Sequence, residues 1–297
     1  MDWGWNTGTH ALVFSVERIS DTFVGEVDGV NLSDDHSDGE IGDIRSALMK
    51  HGILVFHGQN MSNQQHVRFS QKFGPSEIHT VKQYLLEGFP EIIALANRGD
   101  KGTKPIANGG AYWHSDITYK VRPPMGSILY ALEIPPEGGD TLYCDMAGAY
   151  DALSDEMKDR IDGLKAVHSY LPRFMASRKM DEGFQKDGFV LSEEQKAELA
   201  EVVHPIVRTH PETGRKALYV NVASGHHFEG MTREESAPLL QYLFKHATLP
   251  EFTCRFRWEP GSVAFWDNRC LKHIAVNDYH GYRRDMRRVQ LAGDRPV

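Results

Sequence analysis

Trp113-His114-Ser115-Asp116 sets a histidine and a carboxylate two residues apart. On an extended segment, side chains at that spacing point to the same side of a strand. Far downstream, an apolar stretch ends in Trp266-Asp267-Asn268-Arg269 and leads to His273. Two histidines and one carboxylate, brought together by the fold, make the facial set that holds Fe(II) and leaves the opposite octahedral face open. Tyr282-Arg283-Arg284-Asp285-Met286-Arg287-Arg288 follows at short range and supplies guanidinium groups for a dicarboxylate. In this order the residues read as an oxygenase that uses iron and 2-oxoglutarate.

Neutral imidazoles bind Fe(II) through nitrogen, and one carboxylate offsets part of its charge. His114, Asp116 and His273 are therefore the expected metal ligands. Three protein ligands leave positions for the 1-carboxylate and 2-keto oxygens of 2-oxoglutarate and for O2, which a closed four-ligand zinc site does not allow. Arg284 is the expected anchor for the distal carboxylate, because a planar guanidinium grips a carboxylate through two parallel hydrogen bonds. Thr141, on a neighbouring strand, offers a hydroxyl to the same group. Each residue alone is weak evidence. With 15 histidines in the chain, a His-x-Asp pair arises readily by chance. An arginine is often a surface ion pair, and threonine is a good strand residue.

The surrounding elements are mainly β. Phe14 to Ile19 and Phe23 to Val27 alternate like half-buried strands. A helix is expected from about Ile41 to Lys50, stopped by Gly52, and another from the cap Ser62 through Phe73. Ile53-Leu54-Val55-Phe56 between them is apolar throughout, the sign of a strand covered on both faces. Ile92 to Leu95, Gly126 to Ile134 and Asp140 to Asp145 read as strands, and the Gly- and Lys-rich stretch from Gly99 to Gly110 as a loop suited to an active-site lid. A charged helical insertion is expected over about 147–200, its last helix opened by the capping box Ser192 and Gln195. Two strands flank the turn His210 to Gly214, the capping box Thr232 and Glu235 opens a helix to about His246, and Thr253 to Trp258, Ser262 to Trp266 and Arg287 to Ala292 return to β. Antiparallel strands around a metal pocket suggest a double-stranded β-helix (a jelly roll, cupin-like) flanked by α-helices. The expected organisation is a single domain over residues 1–297.

Composition narrows the function. The chain has 297 residues, 40% hydrophobic and 25% charged, enough for a sizeable core. A net charge of -8 without a Lys/Arg run argues against a nucleic-acid surface. Cys144, Cys254 and Cys270 have no zinc-like spacing and suit a reducing compartment. Neither a signal pattern nor an apolar run long enough for a bilayer is present. A cytoplasmic homo-oligomer without membrane or nucleic-acid partners is expected.

The same residues resemble the taurine dioxygenase / 2,4-dichlorophenoxyacetate dioxygenase family of non-haem iron oxygenases. The matching pieces are Trp113 to Asp116, Gly138-Gly139-Asp140-Thr141-Leu142, Trp266 to His273, and Arg284 with Arg288. Weaker similarity runs through Val55-Phe56-His57-Gly58-Gln59, Phe73-Gly74-Pro75, Ala149 to Leu153 and Val207 to Pro211. The resemblance implies a double-stranded β-helix, Fe(II), 2-oxoglutarate and O2. It implies His114, Asp116 and His273 as iron ligands, Thr141 and Arg284 as 2-oxoglutarate contacts, and Arg288 as the arginine that meets an anionic group of the prime substrate. His79 falls where the taurine enzymes keep a sulfonate-contacting histidine, and Lys82 where the phenoxyacetate enzymes keep a carboxylate-contacting lysine. Tyr143-Cys144-Asp145-Met146, Tyr150 to Leu153, and His168-Ser169 through Arg173-Phe174 look closer to the phenoxyacetate branch. Gly109 to Tyr112 departs from the polar contacts of the taurine enzymes.

The expected substrate is thus a small organic anion, an aryloxyalkanoate, hydroxylated beside a heteroatom with release of succinate and CO2. A sulfonate or sulfate ester is the alternative. A zinc hydrolase with the same ligands would need a general base near the metal. No His-Glu helix motif supplies one, and the pair His226-His227 reads as loop. A non-catalytic binding protein is the third reading, since fold does not fix function.

Overall fold

The computed structural model describes residues 14–19, 23–80, 82–97, 110–170, 200–221 and 225–297, with Glu193 and Ala197 as isolated positions. Ser15–Arg18 (β1) pairs antiparallel with Val24–Asp28 (β2), which runs parallel to Ile53–Phe56 (β3). Helix α1, Asp38–His51, lies between β2 and β3, and α2, Asn63–Gln71, follows them. Leu85–Leu86 (β4), Phe89–Ala96 (β5), Gly126–Glu133 (β6) and Thr141–Asp145 (β7) come next. Met146–Asp151 (α3), Asp155–Ile161 (α4), Lys165–His168 (β8), Val202–Pro205 (β9), Val207–Thr209 (β10), Lys216–Leu218 (β11) and Gly225–Phe228 (β12) lead to α5, Arg233–Ala247. Thr253–Phe256 (β13), Val263–Asp267 (β14), Leu271–Ala275 (β15) and Asp285–Leu291 (β16) finish the fold.

Eight strands form one sheet in the order β1-β2-β3-β14-β6-β16-β5-β4, and three form a smaller sheet, β13-β7-β15. Strand alternation divides the large sheet cleanly. Leu54, Phe56, Ile128, Tyr130, Val263 and Phe265 face α1 and α2, where Ile44, Leu48 and Phe69 cover them. Ile53, Val55, Leu129, Ala264 and Trp266 face the other way, onto Tyr143, Cys254 and Phe256 of the small sheet. β3 is apolar at every position because both its faces are covered. The far side of the small sheet packs Cys144 against α3 and α5. The chain passes from the large sheet to the small one between β6 and β7, and again through the Asn268–Cys270 turn between β14 and β15.

Several expectations are corrected. The first helix starts at Asp38 rather than Ile41, because Ser37 and Glu40 form a capping box that the apolar spacing did not reveal. The second ends at Gln71, and β5 spans eight residues, since both its partners, β4 and β16, prolong it. The 147–200 insertion is not helical throughout: β8 pairs with β9 and β12, so the described part turns to sheet after Ile161. His226-His227 belongs to strand β12, paired with β8, rather than to a loop. The Ser192 and Gln195 cap, Arg173-Phe174 and the 99–109 part of the expected lid lie outside the described residues. Among the described residues no helix is long and apolar enough to cross a membrane.

His66 on α2 couples this core to pH. Its ring is buried edge-on against Tyr130, and its Nε2–H donates to the Ile128 carbonyl at 3.2 Å. Burial outweighs that bond and pushes the imidazole pKa down to about 4 from 6.5. Between those values the unfolded chain takes up a proton and the folded one does not, so stability is lost as pH falls through this window, by on the order of 3 kcal/mol. Urea titrations at pH 7 and pH 4 should show His66→Gln losing less stability than the parent by about that amount. Parallel losses would show that other groups carry the acid sensitivity.

Candidate metal centre

Alternation along β15 turns His273 toward the large sheet, where its ring packs 4.7 Å from Trp266 and 6.1 Å from Tyr143. His114 meets it through a reciprocal backbone bridge: His114 N–H donates to the His273 carbonyl at 3.0 Å, and His273 N–H to the His114 carbonyl at 2.8 Å. The two rings lie 4.2 Å apart. Here the chain departs from the expected strand. His114 holds the bridge, and Asp116 opens a turn in which Ile117 has φ 49°. A left-handed conformation at a residue with a Cβ costs about 1–2 kcal/mol, so the turn needs support. The Ser115 hydroxyl donates to the Leu271 carbonyl, and Asn221 Nδ2 donates to the Ser115 carbonyl and the Thr118 hydroxyl. His204 Nε2 donates to the Lys120 carbonyl at 3.0 Å.

One ligand atom from each of His114, Asp116 and His273 lies within 4.8 Å of the others, and all three residues are buried. Asp116 Oδ1 is 3.7 Å from His114 Nε2 and 3.9 Å from His273 Nε2. The Tyr112 carbonyl, 2.7 Å from His114 Nδ1, fixes the proton there and leaves the Nε2 lone pair facing Asp116. Burial, reinforced by His114, holds His273 well below the usual histidine range, so it is the neutral donor a metal requires. Burial pulls the Asp116 carboxyl up, but Arg288, His273, His114 and the Ser127 hydroxyl outweigh it and hold the group well below the ordinary carboxylate range. Arg288 reaches Asp116 Oδ1 at 2.8 Å from β16. This set of donors fits a divalent iron ion.

A second group fits an acid with a distal carboxylate. Arg284 is buried, and its Nε donates to the Gly139 carbonyl at 3.2 Å. A Cβ at Gly139 (φ 74°) would stand 3.3 Å from Arg284 Cδ and Nε, so glycine admits the guanidinium. No carboxylate among the described residues pairs with it. Thr141 Oγ1 accepts the Trp258 indole N–H at 2.9 Å, which leaves its own hydroxyl hydrogen to donate. Tyr143, paired with His273 across β7 and β15, keeps a buried hydroxyl without a partner among the described residues. A buried cation and two hydroxyl donors without acceptors are what a bound dicarboxylate would satisfy.

The structure thus brings His114, Asp116, His273 and Arg288 into one cluster and holds Arg284 and Thr141 on adjoining elements. His79 is half-buried, and Lys82 is exposed at the start of the one-turn helix Lys82–Tyr84. Sequence reasoning missed the roles of Ser127, Asn221 and Tyr143. Asn268 stood in the quoted Trp266-Asp267-Asn268-Arg269 stretch, whereas nothing short of strand register reveals Ser127.

His210, Asp267 and Cys270 form a second close group. Its protons and charges are already assigned. His210 Nδ1 accepts the backbone N–H groups of Glu212 and Thr213, so its hydrogen sits on Nε2 and is donated to Asp267 Oδ2. Arg269 Nε and Nη2 bind the two oxygens of Asp267 at 2.9 and 2.6 Å, and Nη1 takes Glu212 at 2.7 Å. Burial holds the Cys270 thiol well above its usual range, hence protonated. The group is an ion-pair hub that fixes the turn before β15. Metal analysis after loading with Fe(II) should give one ion per chain, lost in Asp116→Ala and retained in Cys270→Ser. Asp267→Asn should cost on the order of 3–5 kcal/mol in urea unfolding, because Arg269 loses its main partner.

The profile of the family described as "Taurine catabolism dioxygenase TauD, TfdA family" matches residues 15–290, and the chain belongs to that family. It is 32% identical to an alpha-ketoglutarate-dependent 2,4-dichlorophenoxyacetate dioxygenase of Burkholderia sp. (strain RASC), covering 94% of each chain. It is 35% identical to an alpha-ketoglutarate-dependent sulfate ester dioxygenase of Pseudomonas putida, covering 98% of this chain and 93% of the relative. Among solved structures, a taurine dioxygenase from Burkholderia xenovorans superposes with a TM-score of 0.79 at 35% identity, covering 96% of this chain and 91% of that one. AAD-2 in complex with Mn(II) and N-oxalylglycine superposes with a TM-score of 0.77 at 32% identity, covering 95% and 98%.

Proposed function

We propose that this chain hydroxylates a carbon next to a heteroatom in a small anionic substrate, an aryloxyalkanoate, with cleavage of the ether bond. Family membership makes it a 2-oxoglutarate-dependent dioxygenase, with Fe(II) as its metal and O2 as the oxidant. The observation that carries the reading is the His114–Asp116–His273 group together with a buried arginine, Arg284, that has no carboxylate partner among the described residues. The two sheets packed face to face, joined by the Asn268–Cys270 turn, support a double-stranded β-helix forming one domain.

With iron and 2-oxoglutarate bound, the metal and co-substrate supply the oxidising power, turning 2-oxoglutarate and O2 into succinate and CO2 as one oxygen atom enters the substrate. His114, Asp116 and His273 hold the metal. Arg284, with Thr141, grips the distal carboxylate and sets the orientation of the co-substrate. Arg288 uses Nη1 on Asp116, and its remaining donors are suited to an anionic group of the prime substrate. Such a tether aims the scissile C–H at the metal face. Hydroxylation beside an ether oxygen gives a hemiacetal, which breaks to a carbonyl compound and the aryl alcohol. Tyr112, 4.9 Å from the His114 ring, and Tyr119, stacked 4.9 Å from Tyr170, supply aromatic surface near that face.

A sulfonate or sulfate ester is the second reading, favoured by the sulfate ester dioxygenase among the relatives. Succinate release with Fe(II), 2-oxoglutarate and air, screened over phenoxyalkanoates, sulfonates and sulfate esters, should peak with a phenoxyalkanoate. Turnover that persists without O2 would point instead to a hydrolase. Arg284→Ala should raise the KM for 2-oxoglutarate by at least about tenfold, the scale of a lost charge-assisted contact. Arg288→Ala should raise the KM for the prime substrate more than that for 2-oxoglutarate. An unchanged prime-substrate KM would remove Arg288 from that role.

A further inference from the structure

Ser127 and Asn268 lie behind Asp116, and their hydrogen bonds have one consistent direction. Asn268 Oδ1 is 2.9 Å from the Trp266 indole Nε1 and 3.4 Å from the Asp116 backbone nitrogen. Both neighbours are N–H donors without an accepting lone pair, so the amide oxygen must face them. Asn268 Nδ2 therefore points to Ser127 Oγ, 3.3 Å away, and donates to it. With a lone pair of Ser127 so engaged, its own hydroxyl hydrogen goes to Asp116 Oδ2 at 2.7 Å. Ser127, Asn268, Trp266 and Asp116 are all buried, so water does not compete for these bonds. Ser127 reaches this place through strand register: it pairs with Trp266 across β6 and β14, on the face of the sheet that looks toward His273.

The other oxygen of Asp116 has different surroundings. Oδ1 is the atom that faces both histidine Nε2 atoms, and it accepts from Arg288 Nη1 at 2.8 Å with one of its lone pairs, so the other is the one turned to the histidines. We propose that Ser127, oriented by Asn268, is a positioning residue that commits Asp116 Oδ2 to a protein hydroxyl and leaves Oδ1 as the single oxygen presented to the metal. A carboxylate free to turn could offer both oxygens to the ion and take a position needed by the co-substrate. The relay opposes that rotation from the side of the large sheet, through Ser127 on β6. The proposal rests on the reading of His114, Asp116 and His273 as metal ligands, and its test separates the two.

The test is Mn(II) affinity of the metal-free protein, followed by the electron paramagnetic resonance signal of free Mn(II), together with the visible charge-transfer band of the anaerobic complex with Fe(II) and 2-oxoglutarate. Asp116→Ala should bind no Mn(II) at the site, and if it binds like the parent the ligand reading itself fails. Ser127→Ala should weaken Mn(II) binding by about 10–100-fold, the range seen when the partner of a metal ligand is removed, and should shift the charge-transfer band. Asn268→Ala, which removes the donor that orients Ser127, should weaken binding in the same direction by a smaller factor. Ser262→Ala is the structural control. Its hydroxyl is equally buried but serves the Glu259 turn, where it accepts the Glu259 N–H at 3.2 Å. It should lower the melting temperature and leave Mn(II) affinity unchanged. Parent-like affinity and an unmoved band in folded Ser127→Ala, or in Asn268→Ala should Ser127→Ala not fold, would overturn the proposal. So would an equal loss of affinity in Ser262→Ala.

Discussion

Asp116 is a carboxylate held almost entirely out of water, and the surrounding structure is organised around keeping it charged. A buried anion without partners would take up a proton or unfold its surroundings. Here one oxygen receives a hydroxyl hydrogen from β6, the other a guanidinium N–H from β16, and two imidazole Nε2 atoms stand within 4 Å of that second oxygen. Those partners come from the middle strands of the large sheet, from the small sheet, and from the His114 bridge just before the strained turn at Ile117. The residues that stabilise the charge are therefore the ones that decide where an ion can sit.

The two sheets divide the remaining work. The small sheet and the segment after it carry the groups suited to a dicarboxylate, with Thr141 and Tyr143 on β7 and Arg284 lodged against Gly139. The large sheet contributes Arg288 beside the same centre. Ordinary strand alternation delivers each side chain into the space between the sheets. Elsewhere β6, β14 and β16 combine apolar packing with buried ion pairs, Asp267 with Arg269 and Asp285 with Arg287.

Much of this was legible in the chain. His114, Asp116, His273 and Arg284 stood out because their chemistry is specific and their order is unusual. β3 was readable because a strand covered on both faces has no polar positions. Other features were hidden for physical reasons. Asp116 leaves the strand at once because four side-chain hydrogen bonds hold the turn after it, and none of them is local in sequence. The helical appearance of 147–200 failed after Ile161 because β8 gains its stability from β9 and β12, both supplied by later sequence. Ser127 is a serine in an apolar strand until register sets it against Trp266. The second histidine, aspartate and cysteine group resembles a metal site by composition, and it took hydrogen-bond directions to show that its lone pairs are already in use.

The turn from Asn268 to Cys270, anchored by Arg269 and Asp267, has a consequence for how the molecule matures. It is one of the crossings by which the polypeptide leaves the large sheet for the small one, and His273 lies just beyond it. A chain emerging during synthesis carries His114 and Asp116 long before this junction exists. Such a nascent chain lacks one member of the His114–Asp116–His273 group. The group is therefore complete only in molecules in which β15 has joined the small sheet.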